Sequence, residues 1–225
     1  MDSMQHLPFL SLRFYLECQP PQPYSFSTLI QSLARNPHLP LSLSSLEIEV
    51  SGNVEEPLVH DVDDAETADV FQPLLSLTNL QTLSLILSGV EMLDDAWLNR
   101  ASKCFPQLQD LTLYGCDMER KRITLEGYVP LLQNCPRLSQ IRVATACKSF
   151  DTRKAPLPPG LCNSNLTDIH FPQSSIESSA ECIFRCLILM FPNLQYLAIP
   201  YNFPSEEARK SWTDRRQLVN KSQDY

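Results

Sequence analysis

Apolar residues recur along this chain in a short frame, L-x-x-L-x-L, in which Ile, Val or Phe can take the later apolar places. The frame opens at Leu7, Leu43, Leu80, Leu108, Leu138, Leu166 and Leu194, at spacings of 36, 37, 28, 30, 28 and 28 residues. Its last four places alternate with the period of a strand that buries one face. Places 1, 4 and 6 are therefore expected inward, and places 3 and 5 outward. Strands are predicted at Leu46 to Val50, Leu83 to Leu87, Leu111 to Tyr114, Ile141 to Ala144, Leu166 to Phe171 and Leu197 to Ile199, after a first one carrying Leu7, Leu10, Leu12 and Phe14.

Between strands the apolar spacing turns helical. After Pro20, Pro21 and Pro23, Ser25 or Ser27 can cap a helix to Arg35, with Leu29, Ile30 and Leu33 inward and Pro37 and Pro40 stopping it. Asp63 or Asp64 can cap a second through Val70, Phe71, Leu74 and Leu75, ended or kinked by Pro73. Asp94 or Asp95 starts a third with Trp97, Leu98 and Ala101 inward, and Thr124 caps a fourth through Tyr128, Val129, Leu131 and Leu132. Ser174 or Ser175 caps a fifth that runs to Met190. The stretches Ser51 to Asp64 and Cys147 to Leu161 read as exposed loops, the first acidic, the second holding Pro156-Leu157-Pro158-Pro159.

A strand and a helix repeated at this spacing give an α/β fold, a leucine-rich-repeat solenoid with a curved parallel sheet on the concave face and helices and loops on the convex one. About seven irregular repeats are expected over residues 1–204. Residues 205–225 form a charged helical cap, with Trp212 and Leu218 to cover the open end of the stack.

Composition narrows the function classes. The chain has 225 residues, 43% hydrophobic, with 18 prolines but only 5 glycines, and neither a G-x-G-x-x-G nor a G-x-x-x-x-G-K-[ST] phosphate loop occurs. The net charge of −8 is uneven: Asn36 to Asn99 contains no Lys or Arg against 12 acidic residues, whereas Arg100 to Tyr225 has 16 basic and 12 acidic ones. That balance disfavours nucleic acid as a partner. The most apolar run, Cys182 to Phe191, contains Arg185 and is too short for a bilayer, and Met1 to Leu16 does not read as a secretory signal. A cytoplasmic or nuclear monomer with reduced cysteines is the expectation.

Candidate chemistry is sparse. Cys116 takes the place where such repeats put Asn or Cys to fill a turn, and Cys104 and Cys135 each close a helix, so packing is their expected role. Cys182 and Cys186 share a helix face with apolar neighbours and read as a core pair rather than metal ligands. Asp61-Val62-Asp63-Asp64-Ala65-Glu66 lacks the glycine of a calcium loop. With no G-x-S-x-G or H-E-x-x-H and four scattered histidines, no catalytic residue, cofactor or metal is expected.

The segment Leu108, Leu111, Leu113, Cys116, Ile123-Thr124, Cys135-Pro136 resembles the cysteine-containing class of leucine-rich repeat found in F-box proteins. Together with Leu131-Leu132-Gln133-Asn134-Cys135-Pro136, Leu166-Thr167-Asp168-Ile169-His170 and Phe191-Pro192-Asn193-Leu194, it is similar to the C-terminal part of F-box-like proteins of mushroom-forming fungi, over about half the chain. The F-box motif L-P-x-E is not matched at Leu7-Pro8-Phe9, which already belongs to a repeat strand. The resemblance implies a protein-recognition module, the substrate-binding repeat region of an F-box-type subunit of a cullin–RING ubiquitin ligase. Its partner would be a protein substrate, with a ligase adaptor bound only through an F-box upstream. The alternative is a stand-alone interaction scaffold unconnected to ubiquitin.

On either reading the binding surface is the outward set of strand residues. Place 5 gives Ser11, Glu47, Ser84, Thr112, Arg142, His170 and Ala198. Place 3 gives Phe9, Ser45, Thr82, Asp110, Gln140, Asp168 and Tyr196. The next outward place adds Arg13, Glu49, Ile86, Tyr114, Ala144, Pro172 and Pro200. Aromatic and Arg side chains dominate interface energetics. Tyr114 and Arg142 are therefore the expected anchors, with Tyr196, Thr112 and His170 beside them.

Overall fold

The computed structural model describes residues 10–17, 26–36, 38–51, 70–87, 89–115, 122–147, 162–172, 175–176, 180–198 and 210. The roles expected of Leu7, the first proline turn, the acidic loop, Cys116, the proline-rich loop and the C-terminal cap lie outside the described residues. The fold is α/β. Seven strands form one all-parallel sheet whose order follows the chain. They are β1 (Leu10–Glu17), β2 (Leu43–Ser51), β3 (Thr82–Ile86), β4 (Asp110–Tyr114), β5 (Gln140–Val143), β7 (Asp168–His170) and β9 (Tyr196–Ala198). A separate parallel pair joins β6 (Ala146–Cys147) to β8 (Ser175–Ile176).

From β2 onward the apolar frame sets the register. Leu46, Leu83, Leu111, Ile141, Ile169 and Leu197 lie side by side, each at 2% exposure or less. The first strand departs from expectation by two residues. Arg13, not Ser11, pairs with Glu47, and Leu12 and Phe14 face Leu46 and Ile48. Leu10 precedes a register shift and is 38% exposed. A two-residue slide keeps every side chain on its own face, so alternation alone could not have excluded it.

The strands are entered by a repeated turn. The amides of Leu80, Leu108, Leu138 and Leu194 donate to the carbonyls of Leu77, Phe105, Cys135 and Phe191 at 3.1–3.2 Å. In the last three turns the second place is proline (Pro106, Pro136, Pro192), whose fixed φ suits it and whose missing N–H costs nothing there.

The helices are α1 (Phe26–Arg35), α2 (Leu39–Ser42), α3 (Asp95–Cys104), α4 (Tyr128–Asn134) and α5 (Ala180–Met190). In α1, Ile30 and Leu33 are buried as expected. Of the helix anticipated from Asp63 or Asp64, the part before Val70 lies outside the described residues; at Pro73 the chain forms a short 3-10 turn, Gln72–Ser76. α3 begins as read: Asp94 caps it, its carboxylate accepting from the Trp97 amide at 2.8 Å, and Trp97, Leu98 and Ala101 are buried.

Two expected caps are elsewhere. α4 is preceded by Gly127 with no side-chain cap, and Thr124 binds α3 instead. Asp95 accepts from the Thr124 amide at 2.7 Å and from its hydroxyl at 2.6 Å. A side chain at Gly127 would run into that same carboxylate. Ser175 sits in β8 rather than at a helix start, because residues 175–176 pair with 146–147, and α5 begins at Ala180.

The inward residues of the sheet, the helices and the turns form one core that includes Trp97, Tyr128, Phe71, Phe105, Phe171 and Phe191. Tyr128 stacks on Phe171 with ring centroids 6.4 Å apart, and its buried hydroxyl is hydrogen bonded to that of Thr145 at 2.7 Å. That bond satisfies a group otherwise costly to bury.

Leu111→Ala should lower stability by roughly 2–5 kcal/mol in urea melts, since a fully packed leucine leaves a cavity. Thr112→Ala, one residue along on the other face, should change it by less than about 0.5 kcal/mol. Equal losses would overturn the assigned faces. A pH test follows from Asp95. Burial raises its pKa, its bonds to Thr124 oppose this, and the charges of Glu126 and Asp94 raise it further. The native state thus holds the proton more tightly than the unfolded chain, which stabilises it at low pH and is lost as pH rises through the raised value. Stability relative to Asp95→Asn should therefore fall from pH 4 to pH 7. A rise would refute the assignment.

Candidate protein-binding face

The alternation that buries one side of the sheet leaves the other uncovered over the described residues. Three columns cross it. The first is Ser11, Ser45, Thr82, Asp110, Gln140, Asp168 and Tyr196, and the second is Arg13, Glu47, Ser84, Thr112, Arg142, His170 and Ala198. The third begins Tyr15, Glu49, Ile86 and Tyr114. The shift in β1 puts Ser11, Arg13 and Tyr15 where the sequence reading expected Phe9, Ser11 and Arg13. Pro172 is a buried turn residue beyond the end of β7.

All five residues singled out for recognition lie on this face. Thr112 and Tyr114 are on β4, Arg142 on β5, His170 on β7 and Tyr196 on β9. Two shallow depressions of ≈ 180 Å³ each divide it. One is bounded by Tyr15, Glu47, Glu49, Thr112, Tyr114 and Arg142, the other by Arg142, Asp168, His170 and Tyr196. Arg142 is the wall they share, and it is exposed.

The charges on the face are partly organised. Arg13 forms an ion pair with Glu47 and lies 5.9 Å from the centre of the Tyr15 ring. Burial raises the Asp110 pKa, Arg142 and a hydrogen bond from Thr82 oppose this, and Asp168 adds to the rise. Burial, assisted by Arg142, lowers the His170 pKa, which leaves the imidazole neutral at pH 7. The Asp168 carboxylate accepts from the Thr167 hydroxyl at 2.6 Å. The sequence reading missed the role of Tyr15, which only the true register of β1 could have placed.

Cys135 and Cys186 behave as packing groups. The Cys135 thiol is buried and donates weakly to the carbonyls of Ser102 (3.5 Å) and Phe105 (3.4 Å) at the end of α3, and burial pushes its pKa up to about 12. Cys186 is buried in α5, while the Cys182 side chain and Cys116 lie outside the described residues. Asn163, which the sequence did not flag, is also buried. It accepts from the amides of Asn165 (2.8 Å) and Leu166 (3.2 Å) and donates to Cys135 O (3.4 Å), tying the entry of β7 to the preceding turn.

Among the described residues, no group of three or more His, Cys, Asp or Glu could hold a metal ion, and no helix is long and apolar enough to cross a membrane. No protein-family model and no curated protein matches the chain.

The thiols give a direct check on packing. In the native protein at pH 8, Cys162, which is exposed, should alkylate rapidly, while Cys135 and Cys186 should label only after unfolding. Peptide mapping after iodoacetamide treatment distinguishes them. Fast native labelling of Cys135 would contradict its buried place between α3 and α4.

Proposed function

We propose that this chain is a leucine-rich-repeat solenoid that recognises a protein through the open face of its sheet, acting by binding rather than by catalysis. We further read it as the substrate-binding repeat region of an F-box-type subunit of a cullin–RING ubiquitin ligase. The observation that carries the binding reading is the in-register run of L-x-x-L-x-L segments across a seven-stranded parallel sheet of which the described residues cover only one face. A parallel sheet ordinarily has both faces buried. An uncovered one that presents Tyr15, Tyr114, Arg142 and Tyr196 has the residue types that anchor protein interfaces. The ligase assignment rests on the cysteine-containing repeat and the Cys-Pro and Phe-Pro-Asn-Leu segments. In such subunits the adaptor is held by the F-box, so the repeat region's share of the work is to choose the substrate. The partner is a protein, neither nucleic acid nor lipid, and no cofactor takes part.

Affinity capture of the full-length gene product tests the assignment: co-purification of a ligase adaptor and a cullin supports it, and their absence favours a stand-alone scaffold. For the captured substrate, the double variant Tyr114→Ala, Arg142→Ala should weaken binding by at least about 2 kcal/mol with a nearly unchanged melting curve. Unaltered binding would place recognition away from the sheet face.

A further inference from the structure

Among the described side chains, the open face carries four carboxylates (Glu47, Glu49, Asp110, Asp168) and two guanidiniums (Arg13, Arg142), an excess of two negative charges with His170 neutral. The six charges fall into two groups of the same make-up. At the β1–β2 end, Arg13 is paired with Glu47 and leaves Glu49 without an ion pair among the described residues, next to Tyr15, which is 61% exposed. Around β5, Asp110 and Asp168 flank the single cation Arg142, with Tyr196, 45% exposed, on β9. Each group is one positive charge short. Each holds a ring beside its carboxylates, and a cation over a tyrosine face gains further.

Both arginines already face carboxylates. Arg13 is bonded to Glu47, and Arg142 lies close enough to Asp110 to lower its pKa. Glu49 takes part in no ion pair among the described residues. An acidic partner would have to displace Arg13 or Arg142 and meet the remaining carboxylates. A cationic one completes both groups without disturbing them.

We propose that the partner's docking element is an extended segment bearing two Lys or Arg residues, one seated against Glu49 and Tyr15 and the other against Asp168 and Tyr196. Glu49 and Asp168 stand four strand steps apart across the sheet and four residues apart along the strands, which at ~4.8 Å per step and ~3.3 Å per residue is on the order of 23 Å. That corresponds to about seven residues of extended chain. This inference rests on the reading of the face as a protein-binding surface, and it adds the charge and spacing of what binds there.

The test is to pan the purified protein against a random dodecapeptide phage library and to measure the enriched peptides by fluorescence anisotropy. Two cationic residues six to eight apart are expected in the consensus. Glu49→Gln with Asp168→Asn should weaken that peptide at least tenfold, with thermal melting unchanged. Exchanging both peptide cations for Asp should abolish binding. A consensus without cations that is still lost in Tyr114→Ala with Arg142→Ala would overturn this inference and leave the binding face standing. Peptides insensitive to both double variants, or no enrichment at all, would overturn the two together.

Discussion

The backbone ladder at the entry to each strand is the constraint on which the rest depends. One carbonyl per junction accepts two successive amides from the next segment. Gln81 O takes the N–H groups of Gln109 and Asp110, Gln109 O those of Ser139 and Gln140, Ser139 O those of Thr167 and Asp168, and Thr167 O those of Gln195 and Tyr196, all at 2.7–3.2 Å. Once that carbonyl is engaged, the register of the following strand is set, and a parallel pairing leaves equivalent residues side by side. The leucine frame is thereby converted from a pattern in sequence into rows in space. One set of rows goes into the core, and the other forms the open face.

Contacts between successive segments reinforce the ladder on the helix side. Asp95 on α3 holds Thr124, which lies before α4, and Cys135 after α4 reaches back to the last carbonyls of α3. Asn134 donates to the Ser102 hydroxyl at 3.0 Å, and Asn165 and Asn193 each donate to a carbonyl of the preceding turn, Pro136 O and Ser164 O. Each segment is thus completed by its neighbour rather than by itself, the condition under which stacked units gain stability from their interfaces. Hydrogen bonds of this kind contribute on the order of 1 kcal/mol each. Their greater effect is to leave few buried polar groups unsatisfied.

Local signals were legible where the deciding interaction is local. Asp94 precedes an apolar helical run by the spacing of a cap, and it caps. The frames from Leu80 to Leu194 repeat closely enough that the register followed directly. The failures all involve partners distant in sequence. Thr124 has the residue type and position of a cap, but Asp95, 29 residues earlier, offers its amide and hydroxyl a carboxylate. Ser175 was read as a cap because a two-residue strand has no period to detect, and its pairing with Ala146 joins segments 29 residues apart. In β1 the ambiguity is of another kind. Sliding by two residues leaves burial unchanged, so hydrophobicity could not choose between registers, although the choice decides whether Arg13 or Ser11 meets Glu47.

That last ambiguity shows how the two faces divide their information. Inward places are restricted to Leu, Ile, Val and Phe in neighbouring strands because the core is close-packed and a change of one methylene is felt there. Outward places carry no such restriction, and in the second column they run Arg13, Glu47, Ser84, Thr112, Arg142, His170, Ala198. A sequence that kept only the core rows would fold without specifying a partner. The specification must then lie in residues that contribute little to stability, and here these include half-buried carboxylates whose pKa values burial raises, as at Asp110. Keeping such a charge on the sheet costs desolvation, which Arg142 offsets only in part, and a cation delivered by a partner would offset more of it. Core packing and the make-up of the open face are therefore separable in this chain at the level of single strand positions, even where adjacent residues such as Leu111 and Thr112 belong to one each.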